Sequence, residues 1–293
     1  MPDGRAEADE KKDLLCQFLR ETYSAYEPEK LDWPALEGED LARLRSLPVW
    51  DEAVTTERRT ARLVSAFAET VADGDLREAI ALQGAEEGRH ARLLDHMVAR
   101  YEIPARNGDD GVTPPGLEWE FLRIGFGECL DSFFAFGLFE VARRSRLFPA
   151  ALVAIGDRLL QEEARHIVFF ASWVAHERSR RSAPLRAIGG ARRAAALFAQ
   201  IAARAWSVLG MEKDAFTTGH GAIDIDITPR AFVDLCLAEN ERRLAPYDAR
   251  LERPRFAPEL ARRLRFLLPG GDGPGGAETP AVSLPVVEAR PAA

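Results

Sequence analysis

The sequence predicts an all-α protein, a four-helix bundle with extra C-terminal helices. Three observations predict it. Ala, Leu, Arg and Glu dominate while β-branched residues are few, a composition that favours helix. Long segments carry apolar residues at helical spacing between recognisable start and stop signals. The links between the four central segments run short, long, short, as two antiparallel hairpins joined by one crossover require.

Taken in chain order, residues 1–12 are polar and acidic and read as a disordered start. Short helices follow at 13–27 and 38–47, around a break at Trp33-Pro34, so that 1–48 forms an N-terminal extension. The bundle spans 49–177. Its first helix covers about 49–72 and stops at Asp73-Gly74. Asp75 to Glu78 then reads as a capping box that opens the second helix, 76–102. The link 103–116 is rich in Pro, Gly and Asp. Extended, it reaches roughly 45 Å, enough to run the length of a helix of about 40 Å. The third helix spans 117–144. A tight RSRLFP link leads to the fourth, 149–177, with Pro149 suited to its first turn. Additional helices occupy 178–269: one at 188–209, one from Thr228-Pro229 to about 251, and a short one from Pro258 that stops at Pro269-Gly270. The Pro-, Gly- and Ala-rich end, 270–293, reads as a disordered tail.

Composition narrows the function classes. The chain has 293 residues, 46% of them hydrophobic and 29% charged, as expected of a globular protein with a sizeable core. A net charge of -8 argues against a general nucleic-acid binder. The basic run RSRRSAPLRAIGGARR, 178–193, is either a local patch or a solvated helix junction. Cys16, Cys129 and Cys236 stand far apart and no CxxC occurs, which excludes rubredoxin-type and zinc-ribbon sites and fits a reducing cytoplasm. The polar start MPDGRAEADEKKD has no apolar core of a signal peptide, and no apolar run approaches the ~20 residues that a membrane span needs. The expectation is therefore a cytoplasmic protein with no membrane and no nucleic acid as partner.

The chemistry lies in a repeat. AEEGRH, 85–90, and QEEARH, 161–166, each write Glu-Glu-x-Arg-His inside a long helical segment. Residues three apart share a helix face, so Glu87 and His90 point one way, as do Glu163 and His166. A site for two metal ions in a four-helix bundle needs one such Glu-x-x-His from each of two helices and a single carboxylate from each of the other two. Partners in an antiparallel hairpin lie equally far from the turn. That level falls on Glu57 in the first helix and on Glu128 in the third, whereas Glu52, Glu69 and Glu140 lie off the face or too near a turn. The metal ligands expected are Glu57, Glu87, His90, Glu128, Glu163 and His166, six residues that would also carry the catalysis. The faces around them are otherwise apolar or small, among them Val54, Val64, Ile80, Leu94, Ile124, Phe136, Ile167 and Phe170. Four carboxylates there are prohibitive without a cation.

Glu86, Arg89, Glu162 and Arg165 repeat with the ligands. They read as a surrounding layer, a carboxylate that receives each imidazole N–H and an arginine that holds it, against the alternative of solvated charges. His96 and His176 read as surface or packing residues, and His220, Asp224 and Asp226 as a polar surface loop. Cys129 lies about 100° round the helix from Glu128 and reads as core. Gly125, Ser132 and Ala135 near Glu128 leave room for a substrate walled by Phe133, Phe136 and Phe139, or else these aromatics are plain core packing.

The pattern E…EExRH…E…EExRH over residues 49–177 resembles the ferritin-like di-iron carboxylate superfamily. Within it, EExRH looks like the signature of bacterial multicomponent monooxygenases and acyl-carrier-protein desaturases. The spacings of 30 from Glu57 to Glu87 and 35 from Glu128 to Glu163 are similar to those of the monooxygenase hydroxylase subunits. Ser132 stands where those subunits carry a Thr. Other branches fit less well. Tyr23, Tyr26, Tyr101 and Tyr247 all lie outside the ligand segments, unlike the tyrosine of ribonucleotide reductase radical subunits. Leu159 replaces the additional His of arylamine N-oxygenases.

The resemblance implies an O₂-activating oxygenase or oxidase acting on a small organic substrate by hydroxylation, desaturation or N-oxidation. It implies two Fe ions as cofactor, with Mn/Fe or Mn/Mn held by the same ligand types. It also implies O₂ and an external electron donor, a ferredoxin or reductase, since no flavin, haem or iron–sulfur motif is present. A homodimer is compatible with it. Two readings of other classes stand beside it: an iron-binding ferroxidase without organic substrate, and a helical scaffold with a structural metal.

Overall fold

A computed structural model of the protein describes residues 4–106, 108–210 and 227–269, and all its regular structure there is helical. The helices are α1 (Gly4–Glu21), α2 (Gly38–Ser46), α3 (Trp50–Thr70), α4 (Gly74–Arg100), α5 (Leu117–Arg144), α6 (Ala150–Arg180), α7 (Ala183–Gly210), α8 (Pro229–Leu244) and α9 (Phe256–Leu264). Helix α1 already begins at Gly4, inside the stretch expected to be disordered. The physical reason is an apolar stripe, Leu15, Cys16, Phe18 and Leu19, whose burial against α4 and α6 orders the polar turns before it. The expected loop cluster His220, Asp224 and Asp226 and the tail 270–293 lie outside the described residues.

Helices α3 and α4 form the first hairpin. Val54, Leu63, Val64 and Phe67 of α3 are buried. Gly84 of α4 sits so close to Ser65 that a Cβ there would collide with the α3 backbone. The cap of α4 lies earlier than expected. Asp73, not Asp75, is the N-cap, accepting from the backbone N–H groups of Asp75 and Leu76, while Glu78 turns outward to Arg20. The crossover is tied along α3: Arg106 N–H donates to Asp51, Gly108 N–H donates to Thr55, and Arg62 reaches Asp109. These anchors climb α3 in order, so the crossover returns the chain to the end where α5 begins. Gly116, at φ 83°, makes the left-handed turn into α5.

Helices α5 and α6 form the second hairpin; α1 packs on α4 and α6, and α7 and α8 pack on α5. Helix α8 starts at Pro229 with Thr228 as N-cap and ends at Leu244, about two turns earlier than expected, because the chain folds back through tight turns fixed by Arg253 on the carbonyls of Leu244 and Tyr247. Two large apolar clusters fill the bundle. One joins Leu15, Val64, Ile80, Phe121, Ile167 and Phe170; the other joins Trp33, Trp50, Val54, Leu94, Met97 and Ile155. On α4 the stretch between Ile80 and Leu94, and on α6 the stretch between Ile155 and Ile167, carry the two EExRH repeats. A charged layer is thus enclosed between two apolar ones. No helix among the described residues is long and apolar enough to cross a membrane.

Candidate metal centre

The i, i+3 spacing does locally what it predicts. Glu87 and His90 project from one face of α4, and Glu163 and His166 from one face of α6. One ligand atom from each of these four residues lies within 4.8 Å of the other three. His90 Nδ1 stands 2.9 Å from Glu163 and 3.7 Å from Glu87; His166 Nδ1 stands 2.8 Å from Glu87 and 3.9 Å from Glu163. Each imidazole is thus nearer the glutamate of the other repeat. Glu57 of α3 comes to 3.6 Å from His90 Nδ1. Glu128 of α5 faces Glu87, Glu163, His166 and Glu57, and both of its carboxylate oxygens are buried without a hydrogen-bond partner. The fold brings together Glu57, Glu87, His90, Glu128, Glu163 and His166. Glu52 and Glu69 are exposed, and Glu140 is held elsewhere by Arg143 and Arg144.

The outer layer is exchanged between the repeats. His90 Nε2 donates to Glu162 of α6 at 2.8 Å, and His166 Nε2 donates to Glu86 of α4 at 2.9 Å. Arg89 spans both carboxylates, 2.9 Å from Glu162 and 3.2 Å from Glu86. Arg165 also grips Glu86 and reaches the Thr22 carbonyl. With Nε2 committed outward, each Nδ1 is left for the centre, the arrangement that fixes the tautomer of a metal-binding histidine. Ser132 is buried one turn beyond Glu128 on α5 and is not among the groups that meet here.

The electrostatics follow from burial and from the crowding of carboxylates and imidazoles. Burial drives the Glu57 carboxyl up to about 8 and the Glu128 carboxyl well above the usual range, with the neighbouring carboxylates adding to both. Burial works against charge on His90 and His166 too, but the ring of glutamates wins and holds both imidazoles well above their ordinary value. Glu86 is held down at about 2: burial opposes its charge, and His166 and Arg165 overcome it. Glu87 and Glu162 are lowered in the same way, against burial, chiefly by His166 and by His90 respectively. In the metal-free protein, protons on the imidazoles and on Glu57 and Glu128 balance the inner carboxylates.

The donors of Glu87, His90, Glu163 and His166 could hold a metal ion. Both buried carboxylate oxygens of Glu128 have no hydrogen-bond partner, which is costly, while His90 Nδ1 and His166 Nδ1 meet Glu163 and Glu87 across the cluster. Oxygen and imidazole nitrogen suit iron or manganese. Glu86 and Glu162 are paired with Arg89 and Arg165, so the buried guanidinium charge serves the outer carboxylates.

The N-terminal segment supplies contacts that the repeat does not announce. Tyr26 donates to Glu162 at 3.3 Å, and the Arg89 guanidinium lies 4.5 Å from the Tyr26 ring and 3.2 Å from the Tyr23 hydroxyl. Tyr26 lies 136 positions before Glu162, and nothing in the local spacing signals that meeting. The space expected beside Glu128 is also filled. The Phe170 ring occupies the place a Cβ would take on Gly125. Phe133 packs with Cys236 and Leu237, and Phe136 and Phe139 pack under Arg243, so these aromatics are core between α5 and α8 and not walls of a pocket beside Glu128. His96 packs on Trp33 and His176 is buried.

No protein-family model, curated protein or solved structure matches this chain. What the centre can do is therefore read from its own donors.

Proposed function

We propose that this chain is an O₂-activating non-haem di-iron oxygenase or oxidase that acts on a small organic substrate, built on a ferritin-like four-helix bundle. One observation carries the reading: two imidazole Nδ1 atoms and two glutamate carboxylates of repeated helical motifs converge within 4.8 Å, while each Nε2 is fixed by the other repeat's outer glutamate. The metals, when bound, would supply the redox chemistry of O₂.

The chain's own residues do the rest. Glu87 and Glu163 stand between the two imidazoles and, with Glu57 and Glu128 from the facing helices, would hold the metals. Glu86 and Glu162 hold the imidazoles in the tautomer that leaves Nδ1 for metal, and Arg89 and Arg165 keep those glutamates ionised. The apolar layers on either side exclude water from the centre. Glu128 makes no hydrogen bond, so both its carboxylate oxygens would be available to a bound metal.

The test is metal content by elemental analysis after reconstitution with ferrous iron in the absence of air, on the wild type and on Glu163→Ala. About two irons per chain are expected in the wild type and a sharp loss in the variant. Admitting O₂ with and without candidate substrates then separates the oxidase from a ferroxidase, which would oxidise iron with no organic product. No stoichiometric iron in the wild type sinks the reading.

A further inference from the structure

A cavity of about 680 Å³ lies outside the metal centre, between α5, α6, α7 and the chain at 252–257. Its floor and its rim differ in chemistry. Phe126, Cys129, Phe170 and Leu197 make an apolar floor, with Phe126 and Phe170 packed edge to face at 5.1 Å. The rim carries Arg178, Arg186, Arg193, Arg253 and Arg255, against a single acid, Glu252, which pairs with Arg255. Arg253 spends its donors on backbone carbonyls. Among the described residues, Arg178, Arg186 and Arg193 have no carboxylate within ion-pair distance. Burial and the neighbouring guanidiniums of Arg181 and Arg178 hold Arg193 below its ordinary value, the sign of positive charge crowded without compensation. The basic run 178–193 spans the junction of α6 and α7, and three of its arginines, Arg178, Arg186 and Arg193, face the cavity while Arg180, Arg181 and Arg192 pair with Glu177 and Glu118.

Apolar floor and cationic rim together select for one ligand chemistry. We propose that this cavity binds an amphipathic anion, an apolar acyl or aryl body lying on Phe126, Cys129 and Phe170, with a single anionic head on Arg178, Arg186 and Arg193. The floor backs onto the metal centre: Cys129 follows Glu128 on α5, and Phe170 is one turn beyond His166 on α6. Where the oxidase reading holds, and only there, this ligand is its organic substrate, with the end remote from the charge directed at the centre.

Decanoate is a suitable probe, titrated calorimetrically into the full-length metal-free protein, with decylammonium as the control of equal length and opposite charge. One decanoate per chain is expected, with no comparable binding of decylammonium. Arg193→Glu and the more exposed Arg178→Glu should each weaken decanoate at least about tenfold, the weight of one charge-assisted hydrogen bond. Ala175→Trp, which fills the cavity from α6, should abolish binding, with circular dichroism confirming that each variant is folded. Equal affinity for both probes, no decanoate binding, or binding unchanged in folded Ala175→Trp would overturn the proposal. Iron content measured on the same proteins keeps the two ideas apart. Iron at wild-type stoichiometry without decanoate binding removes the cavity's ligand and leaves the metal reading standing; decanoate binding without iron does the reverse.

Discussion

The two Glu-Glu-x-Arg-His copies share their letters but not their surroundings. Glu86 of the first copy is fully buried and is gripped by two guanidiniums, Arg165 and Arg89, as well as by His166. Glu162 of the second keeps a slightly exposed side chain and holds His90 with the help of one guanidinium, Arg89, and the Tyr26 hydroxyl. The repeat dictates the reciprocal pattern of imidazole on carboxylate. Residues outside the repeat set how strongly each half is held. The difference follows from what lies above each half, the Thr22 carbonyl over Arg165 and the Tyr23 and Tyr26 rings over Arg89.

The sharpest test of that difference removes each outer carboxylate in turn. Glu86→Ala leaves Arg89 and Arg165 buried without the carboxylate they share and is expected to cost about 3–5 kcal/mol of stability in the metal-free protein. Glu162→Ala leaves Arg89 with Glu86 still in reach and should cost less, about 1–3 kcal/mol. Urea unfolding of both variants measures this, and equal losses would break the comparison.

The pH dependence separates the outer carboxylates from the inner site. Glu86, Glu87 and Glu162 are lowered on folding, so their contribution is present above the ordinary carboxylate value of 4.5 and is lost as pH falls, for Glu86 toward about 2. His90, His166, Glu57 and Glu128 are raised on folding. Their contribution is full below the unfolded values, 6.5 for the imidazoles and 4.5 for the carboxyls, and is lost as pH rises, for Glu57 through about 8. The metal-free protein should therefore melt at lower temperature on both sides of mildly acidic pH. Manganese(II), by taking the place of the inner protons, should flatten the alkaline side and leave the acid side. An alkaline fall unchanged by saturating manganese would speak against a shared site. Glu86→Ala should blunt the acid side more than Glu162→Ala does.

The smallest effect belongs to Tyr26→Phe, which removes one 3.3 Å hydrogen bond from Glu162 and nothing from Glu86. A loss of about 0.5–1.5 kcal/mol is expected, with metal stoichiometry retained. The same substitution made in Glu162→Ala should then cost almost nothing, a double-mutant cycle that locates the tyrosine's effect on that half alone.

Particular residues show how far the sequence could be read. The helices of both hairpins and the levels of Glu57 and Glu128 follow from turn positions and helical rise, which are local or nearly so. The α4 cap was misplaced by two positions because Asp73 and Asp75 are both able caps, and only the path of the chain out of α3 selects between them. The start of α1 was missed because its polar first turns are ordered by the apolar stripe that follows them. The room expected around Gly125 was filled by Phe170, a ring from another helix that composition cannot place.

By itself, the sequence determined an all-helical chain and the two faces that each carry a glutamate and a histidine, because spacing along a helix sets direction without help from the rest of the fold. Only the tertiary structure decided that each histidine is oriented by the other repeat's glutamate, that Tyr26 joins one half, and that Arg178, Arg186 and Arg193 share the rim of a cavity. Those contacts join residues 72 to 136 positions apart. At such separations the chain has no preferred geometry of its own, and the packing of apolar layers above and below the charged one is what brings the groups together.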